Sequence, residues 1–193
     1  MKTSKSLKDG LTLNKQRKNM QGWRIRKVIF SLAQVAFFTI EIVKGNCRFG
    51  PRVVLGDWSH SEWRTKYFIL GTMVVDEEQI LVENWGKIYK LAVCPQKEFF
   101  RKLDCGEDVQ ADPYYTESMK RLNVVAFEAW LRVKLELWEN FNQDPRDFTP
   151  IAVRHSMRRF VVQDGAHRLS LRSLRGYNSH TLGIGLWDSN QKQ

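Results

Sequence analysis

The pentad Asp164-Gly165-Ala166-His167-Arg168 sets a carboxylate, a glycine, an imidazole and a guanidinium at the end of an apolar run. Apolar residues then recur at Leu169, Leu171 and Leu174 before Gly176, which predicts a helix reaching about Arg175. A helix start carries partial positive charge from its unpaired N–H groups and is stabilised by acids. His167 and Arg168 in that first turn oppose the helix unless an anion is bound. Gly165 lets the backbone come close to a ligand. The amides of residues 166–168 then make a ready anion site. Arg168 adds a planar fork for two oxygens, and His167 can donate a hydrogen bond or carry charge near neutral pH. The chemistry this spacing could do is phosphate binding. The plain alternative is a surface Asp-Gly turn whose arginine points into water.

Two short strands, Pro150–Val153 and Phe160–Val162, joined by a basic hairpin-like segment, must deliver the pentad, and a strand over Thr181–Trp187 follows its helix. Upstream, residues 126–141 (AFEAWLRVKLELWENF) are the clearest helix. Phe127, Leu131, Leu135, Trp138 and Phe141 fall on one face, and the helix stops before Asp144-Pro145. Trp130 and Trp138 sit at core-like spacing within it, so they read as packing residues. Short strands are predicted at Val53–Leu55, Tyr67–Leu70, Met73–Val75, Ile80–Val82 and Ile88–Val93. Residues 95–123 read as irregular, with turn signals at Cys105-Gly106 and Asp112-Pro113.

The chain of 193 residues is 42% hydrophobic, enough to bury a core as one domain with an appendage or as two small lobes. Its net charge of +10 points to polyanionic company such as nucleotide, nucleic acid or anionic lipid. The charge is uneven. Residues 1–27 hold nine Lys/Arg against Asp9, a net of +8, and residues 154–175 hold six Arg against Asp164, a net of +5. Two basic ends around an acidic middle differ from the continuous basic face of a duplex-DNA reader. Cys47, Cys94 and Cys105 follow no zinc or disulfide pattern, and the four histidines are scattered. Reduced thiols in a cytoplasm are the simplest reading. Residues 24–43 join a basic stretch to an apolar one that is too short for a bilayer span and contains Gln34 and Glu41. A helix packed into the protein is the favoured reading there. A helix lying on a membrane surface is the alternative. Residues 1–20 read as a polar, basic, disordered tail.

The order of helix, Pro150-Ile151-Ala152-Val153, Val161-Val162 and the pentad, with Gly176 after its helix, resembles the ParB/sulfiredoxin-like superfamily. Members share a Pro-Ile-x-Val strand, a second strand, and a Gly-x-His-Arg or Gly-Glu-Arg-Arg turn that opens a helix. Tyr89–Val93 and the helix over 126–141 fit the family's earlier elements, so the resemblance covers about residues 88–187, roughly half the chain. It implies an α+β fold, with a mixed-sheet phosphate-binding domain over 88–193. The basic tail 1–20 and a helix-plus-strand extension over 21–87 precede it. Sulfiredoxins carry their catalytic cysteine between the Gly and the His. This chain has Ala166 there, which removes that route unless Cys94 or Cys105 substitutes. Partition ParB proteins bind a cytidine nucleotide and continue into a helix-turn-helix domain, for which no room is expected after the final strand.

Similarity to the free serine kinases of this superfamily implies ATP or ADP with Mg²⁺ and a small hydroxylated acceptor. In that reading Gly165, Ala166, His167 and Arg168 hold phosphates, and Asp164 holds Mg²⁺ or accepts a proton. Glu98 is the catalytic base, with Asp104, Glu107 and Asp112 behind it, and His167 joins the catalytic set. Similarity to DGQHR-type proteins associated with DNA modification, with Ala166 replacing Gln, implies a DNA-linked NTPase instead. There the basic N-terminal arm and Arg154, Arg158 and Arg159 grip phosphodiesters. Residues 58–68 (WSHSEWRTKYF) could stack on bases. A non-catalytic nucleotide sensor is the third reading. The phosphotransferase is favoured, because the basic residues are split into two patches and no reading helix is recognisable.

Overall fold

Helix α1, residues 31–43, leads into strand β1, Cys47–Leu55, and the long strand β2, Lys66–Asp76. A single 3-10 turn, Glu77–Gln79, separates β2 from β3, Ile80–Asn84, and a tight hairpin returns as β4, Lys87–Lys90. Four helices and three strands complete the chain: α2 (Pro95–Cys105), α3 (Pro113–Arg121), α4 (Val124–Glu139), β5 (Ile151–Ser156), β6 (Arg159–Asp164), α5 (Ala166–Leu174) and β7 (Ser179–Gly185). The computed structural model describes residues 28–29, 31–55, 66–141, 150–156 and 159–186. The expected tail 1–20, most of 58–68, the segment around Asp144-Pro145, and the side chains of Arg154 and Arg158 lie outside what is described.

The strands form one mixed sheet of seven, in the order β1-β2-β7-β5-β6-β3-β4. The β5/β7 and β3/β6 pairs are parallel, and the remaining pairs are antiparallel. Both faces of its centre are buried: Ile80 and Val82 point to one side and Leu81 to the other. The larger core takes in Leu70, Val75, Ile80, Val82, Phe160, Val162, Leu182 and Ile184 from the sheet, Phe38 from α1 and Leu169 from α5. A second core is helical, formed by Phe99 and Phe100 of α2, Tyr114 of α3, Phe127 and Trp130 of α4, and Leu171 of α5. Helix α5 therefore sits between two cores.

The fold is mixed α/β, as expected. The boundary expected at residues 87 and 88 falls inside β4, and strands from both sides of it share the sheet. Three expectations are corrected. Tyr67–Leu70 and Met73–Val75 are one strand, because the intervening Gly71-Thr72 continues the pairing to β7 across a bulge. A Cβ on Gly71 would collide with the Arg48 carbonyl and come within 2.6 Å of Phe38 Cζ, so the glycine is where α1 presses onto the sheet. The strand expected at Ile88–Val93 stops at Lys90 and gives way to a 3-10 turn, Leu91–Val93.

Residues 95–123, read as irregular, contain α2 and α3. The supposed turn signals are helix ends. Gly106 closes α2 in a left-handed conformation (φ 67°), and Asp112 caps α3 by accepting from the Tyr114 amide at 2.8 Å. Pro95 and Pro113 stand at the first helical positions, where a missing N–H costs nothing.

Candidate functional site

Strand β6 carries the chain to Asp164, which pairs with Ile151, and the backbone turns at Gly165 with φ 87° and ψ 15°. A residue with a Cβ pays about 1–2 kcal/mol in that left-handed region. Helix α5 then begins at Ala166, with no side-chain cap and no acid in its first turn. Its ladder starts only with the Leu169 amide, which donates to the Gly165 carbonyl at 3.0 Å. The amides of Ala166 and His167 precede that bond, where a helix has no acceptor to offer. The apolar spacing fixes this start, since Leu169 faces the sheet core and Leu171 the helical core. Asp164, Gly165, Ala166, His167 and Arg168 are each half-buried.

His167 points into the helical core. Its Nε2 lies 2.6 Å from the Tyr114 hydroxyl, and its ring meets Phe100 edge-on at 6.3 Å between centroids. Burial first, and Lys134 second, hold its pKa well below the ordinary imidazole value. Burial likewise pushes the Tyr114 hydroxyl far above its usual value. A neutral ring and a neutral phenol thus share one proton across this contact. Within the pentad, the positive charge at neutral pH belongs to Arg168.

Beneath the turn lies Cys94, fully buried, with Sγ 3.3 Å from Ser170 Oγ. Ser170 in turn donates to the Ala166 carbonyl at 2.8 Å. Burial raises the Cys94 thiol pKa, so it rests as a protonated packing group. Cys105 is exposed at the far end of α2, where its Sγ accepts from Arg101. Neither thiol stands at position 166 of the turn.

Glu98 stands exposed in the first turn of α2. Both of its oxygens accept from Arg101, Oε2 from Nε at 3.0 Å and Oε1 from Nη2 at 2.8 Å. That bidentate pairing lowers its pKa, which weakens it as a base. Glu107 shares the same guanidinium at 2.8 Å. Asp104 accepts from Trp138 Nε1 at 2.7 Å and pairs with Arg175 at 3.0 Å, tying α2 to α4 and to the end of α5. Asp112, buried, caps α3 and pairs with Lys102 at 2.8 Å. Asp104 and Asp112 hold helices together, and Glu107 fastens the segment after α2 back onto that helix.

Sequence reasoning missed two groups. Tyr114, which fixes His167, lies one residue past Asp112-Pro113, a step that suits a turn and a helix start alike. Glu77, in the 3-10 turn after β2, accepts from Ser173 of α5 at 2.7 Å and from Lys97 of α2 at 3.2 Å. The buried His180 of β7 stands 3.9 Å from its other oxygen. No sequence spacing flags that cluster, because its members come from four separate elements. Among the described residues no group of three His, Cys, Asp or Glu side chains is placed to hold a metal ion. Mg²⁺ in nucleotide sites takes one or two carboxylates besides the phosphates, and Asp164 is the carboxylate that the turn itself carries. Comparison of the chain with family models, with characterised proteins and with solved structures finds no match.

Proposed function

We propose that the start of α5 binds the phosphates of a nucleoside di- or triphosphate with Mg²⁺, and that the protein transfers the terminal phosphoryl group to a small hydroxylated acceptor. One observation carries the reading: an uncapped, acid-free helix start on a left-handed glycine, with Arg168 in its first turn. Amides at such a start and a guanidinium fork offer pre-aimed donors, and phosphoryl transfer depends mostly on positioning and charge neutralisation. Asp164 would hold Mg²⁺, which would supply neutralisation of phosphate charge. His167, neutral and packed on Tyr114, braces the turn and can offer one hydrogen bond, while the charge comes from Arg168.

Proton acceptance from the substrate hydroxyl falls to Asp164 or to Glu98. Glu98 takes that role only after leaving Arg101, whose grip occupies both oxygens. The same grip favours a second reading, a nucleotide sensor that binds without turnover. The family resemblance in the pentad and in Pro150-Ile151-Ala152-Val153 supports both readings equally.

Titration calorimetry with Mg-ADP and Mg-ATP on the wild type and on Arg168→Ala tests the site. The expected result is binding that weakens about ten- to a hundredfold in the variant, the worth of a charge-assisted bidentate contact. Wild-type protein that takes up no nucleotide at millimolar concentration overturns the proposal. Turnover that appears only with an added acceptor marks the kinase, and stimulation by oligonucleotide that fades with salt marks the DNA-linked alternative. Binding without either marks the sensor.

A further inference from the structure

Helix α1 is packed the wrong way round for a surface helix. At 3.6 residues per turn, Leu32, Val35, Ile40 and Val43 of α1 fall within an arc of about 140°. All four are exposed, Leu32 at 64% and Val43 at 83%, and so are Val28 and Ile29 ahead of α1. The side turned to the protein carries Phe38, at 2% exposure, together with the polar Gln34 and Glu41, also buried. Phe38 lies against Gly71, and Phe37 tilts onto Phe160 at 6.0 Å, so contact with the sheet fixes which side faces out. The remaining positions of the outward arc are Ala36 and Thr39, and no charged residue interrupts it.

We propose that this outward face docks on an anionic lipid surface, with α1 lying in the plane of the interface. Charge selects the occupant. Residues 1–27 carry a net charge of +8, and Arg24, Arg26 and Lys27 lie a few positions before the helix. Exposed Lys44, Arg48 and Arg52 follow it. A second copy of this chain would bring the same positive charge to the same place and be repelled. An anionic bilayer supplies both the apolar layer and the opposite charge. Spanning is not the mode, since among the described residues no helix is long and apolar enough to cross a membrane. This inference stands apart from the nucleotide site and survives or fails without it.

The test is flotation of the full chain with phosphatidylcholine vesicles and with vesicles containing roughly a third phosphatidylglycerol. Binding is expected to the anionic vesicles, falling in high salt and nearly absent on neutral ones. The double substitution Leu32→Gln, Val43→Gln should weaken it about tenfold or more, because two apolar side chains no longer leave water. Four results overturn the proposal. The wild type stays out of the floating fraction. The double variant floats as well as the wild type, leaving charge alone at work. The double variant melts at markedly lower temperature, showing the face already covered by the chain itself. Sedimentation without lipid shows a dimer that the double variant dissolves.

Discussion

Helices α1 and α5 reach the same buried cluster, through Phe38 and Leu169, yet they treat their surfaces in opposite ways. Helix α5 is enclosed: Leu169 enters the sheet core, Leu171 the helical core, and Ser173 donates to Glu77. Its start has no side-chain cap and no acid, a matter of charge and hydrogen bonding. Helix α1 holds Gln34 and Glu41 on its inner side and turns Leu32, Val35, Ile40 and Val43 outward. What it leaves unsatisfied is apolar area. The partners we propose for the two helices therefore differ, an oxyanion at one and a hydrocarbon boundary at the other. Sequence hydrophobicity by itself does not say which way a side chain faces, and α1 shows how far the two can part.

The contrast breaks first at the enclosed helix. Leu171→Ala should cost about 2–5 kcal/mol in urea unfolding, because the side chain is fully buried among Phe99, Phe100, Tyr114 and Trp130 and leaves a cavity. A loss below about 1 kcal/mol would mean the helical core is loosely packed.

A smaller effect comes from pH, and it also belongs to α5. His167 braces that helix, and His180 lies beside the Glu77 that holds Ser173. Burial depresses the pKa of both rings in the folded state. As pH falls through about 6.5, the unfolded chain takes up protons that the folded chain refuses. Stability is therefore complete above that value and declines below it, by up to about 1.4 kcal/mol per pH unit for each histidine. Unfolding curves at pH about 7.5 and about 5.5 should separate, and those of His167→Gln should separate less. Curves that coincide for the wild type would show both rings open to water.

The smallest change is expected on α1. Leu32→Ala should move stability by less than about 0.5 kcal/mol, since the side chain is largely in solvent already. A loss like that of Leu171→Ala would erase the distinction between the two helices.

Much of the site was legible in the sequence. The strand before the pentad, the left-handed glycine and the helix after it follow from an apolar run, an Asp-Gly step and recurring leucines, all local signals. The helix over Val124–Glu139 was equally plain from its period. Helices α2 and α3 were not, because Cys105-Gly106 and Asp112-Pro113 serve a turn and a helix end with the same chemistry. Only the hydrogen bonds around them tell the two apart. The base was legible only as a residue type: the pairing of Glu98 with Arg101, three residues on, can be read only once residues 95–105 are known to be a helix.

By itself the sequence determined the mixed composition of helices and strands, the basic ends, the position of the Asp-Gly turn that opens α5 and the absence of a cysteine at residue 166. Tertiary structure alone decided that seven strands join one sheet across the expected boundary, that His167 turns inward to Tyr114, and that α1 shows its apolar side to the outside. The reason is range. Turn chemistry and periodicity act over a few residues, whereas the direction of a side chain is set by whichever distant surface excludes water from its other side.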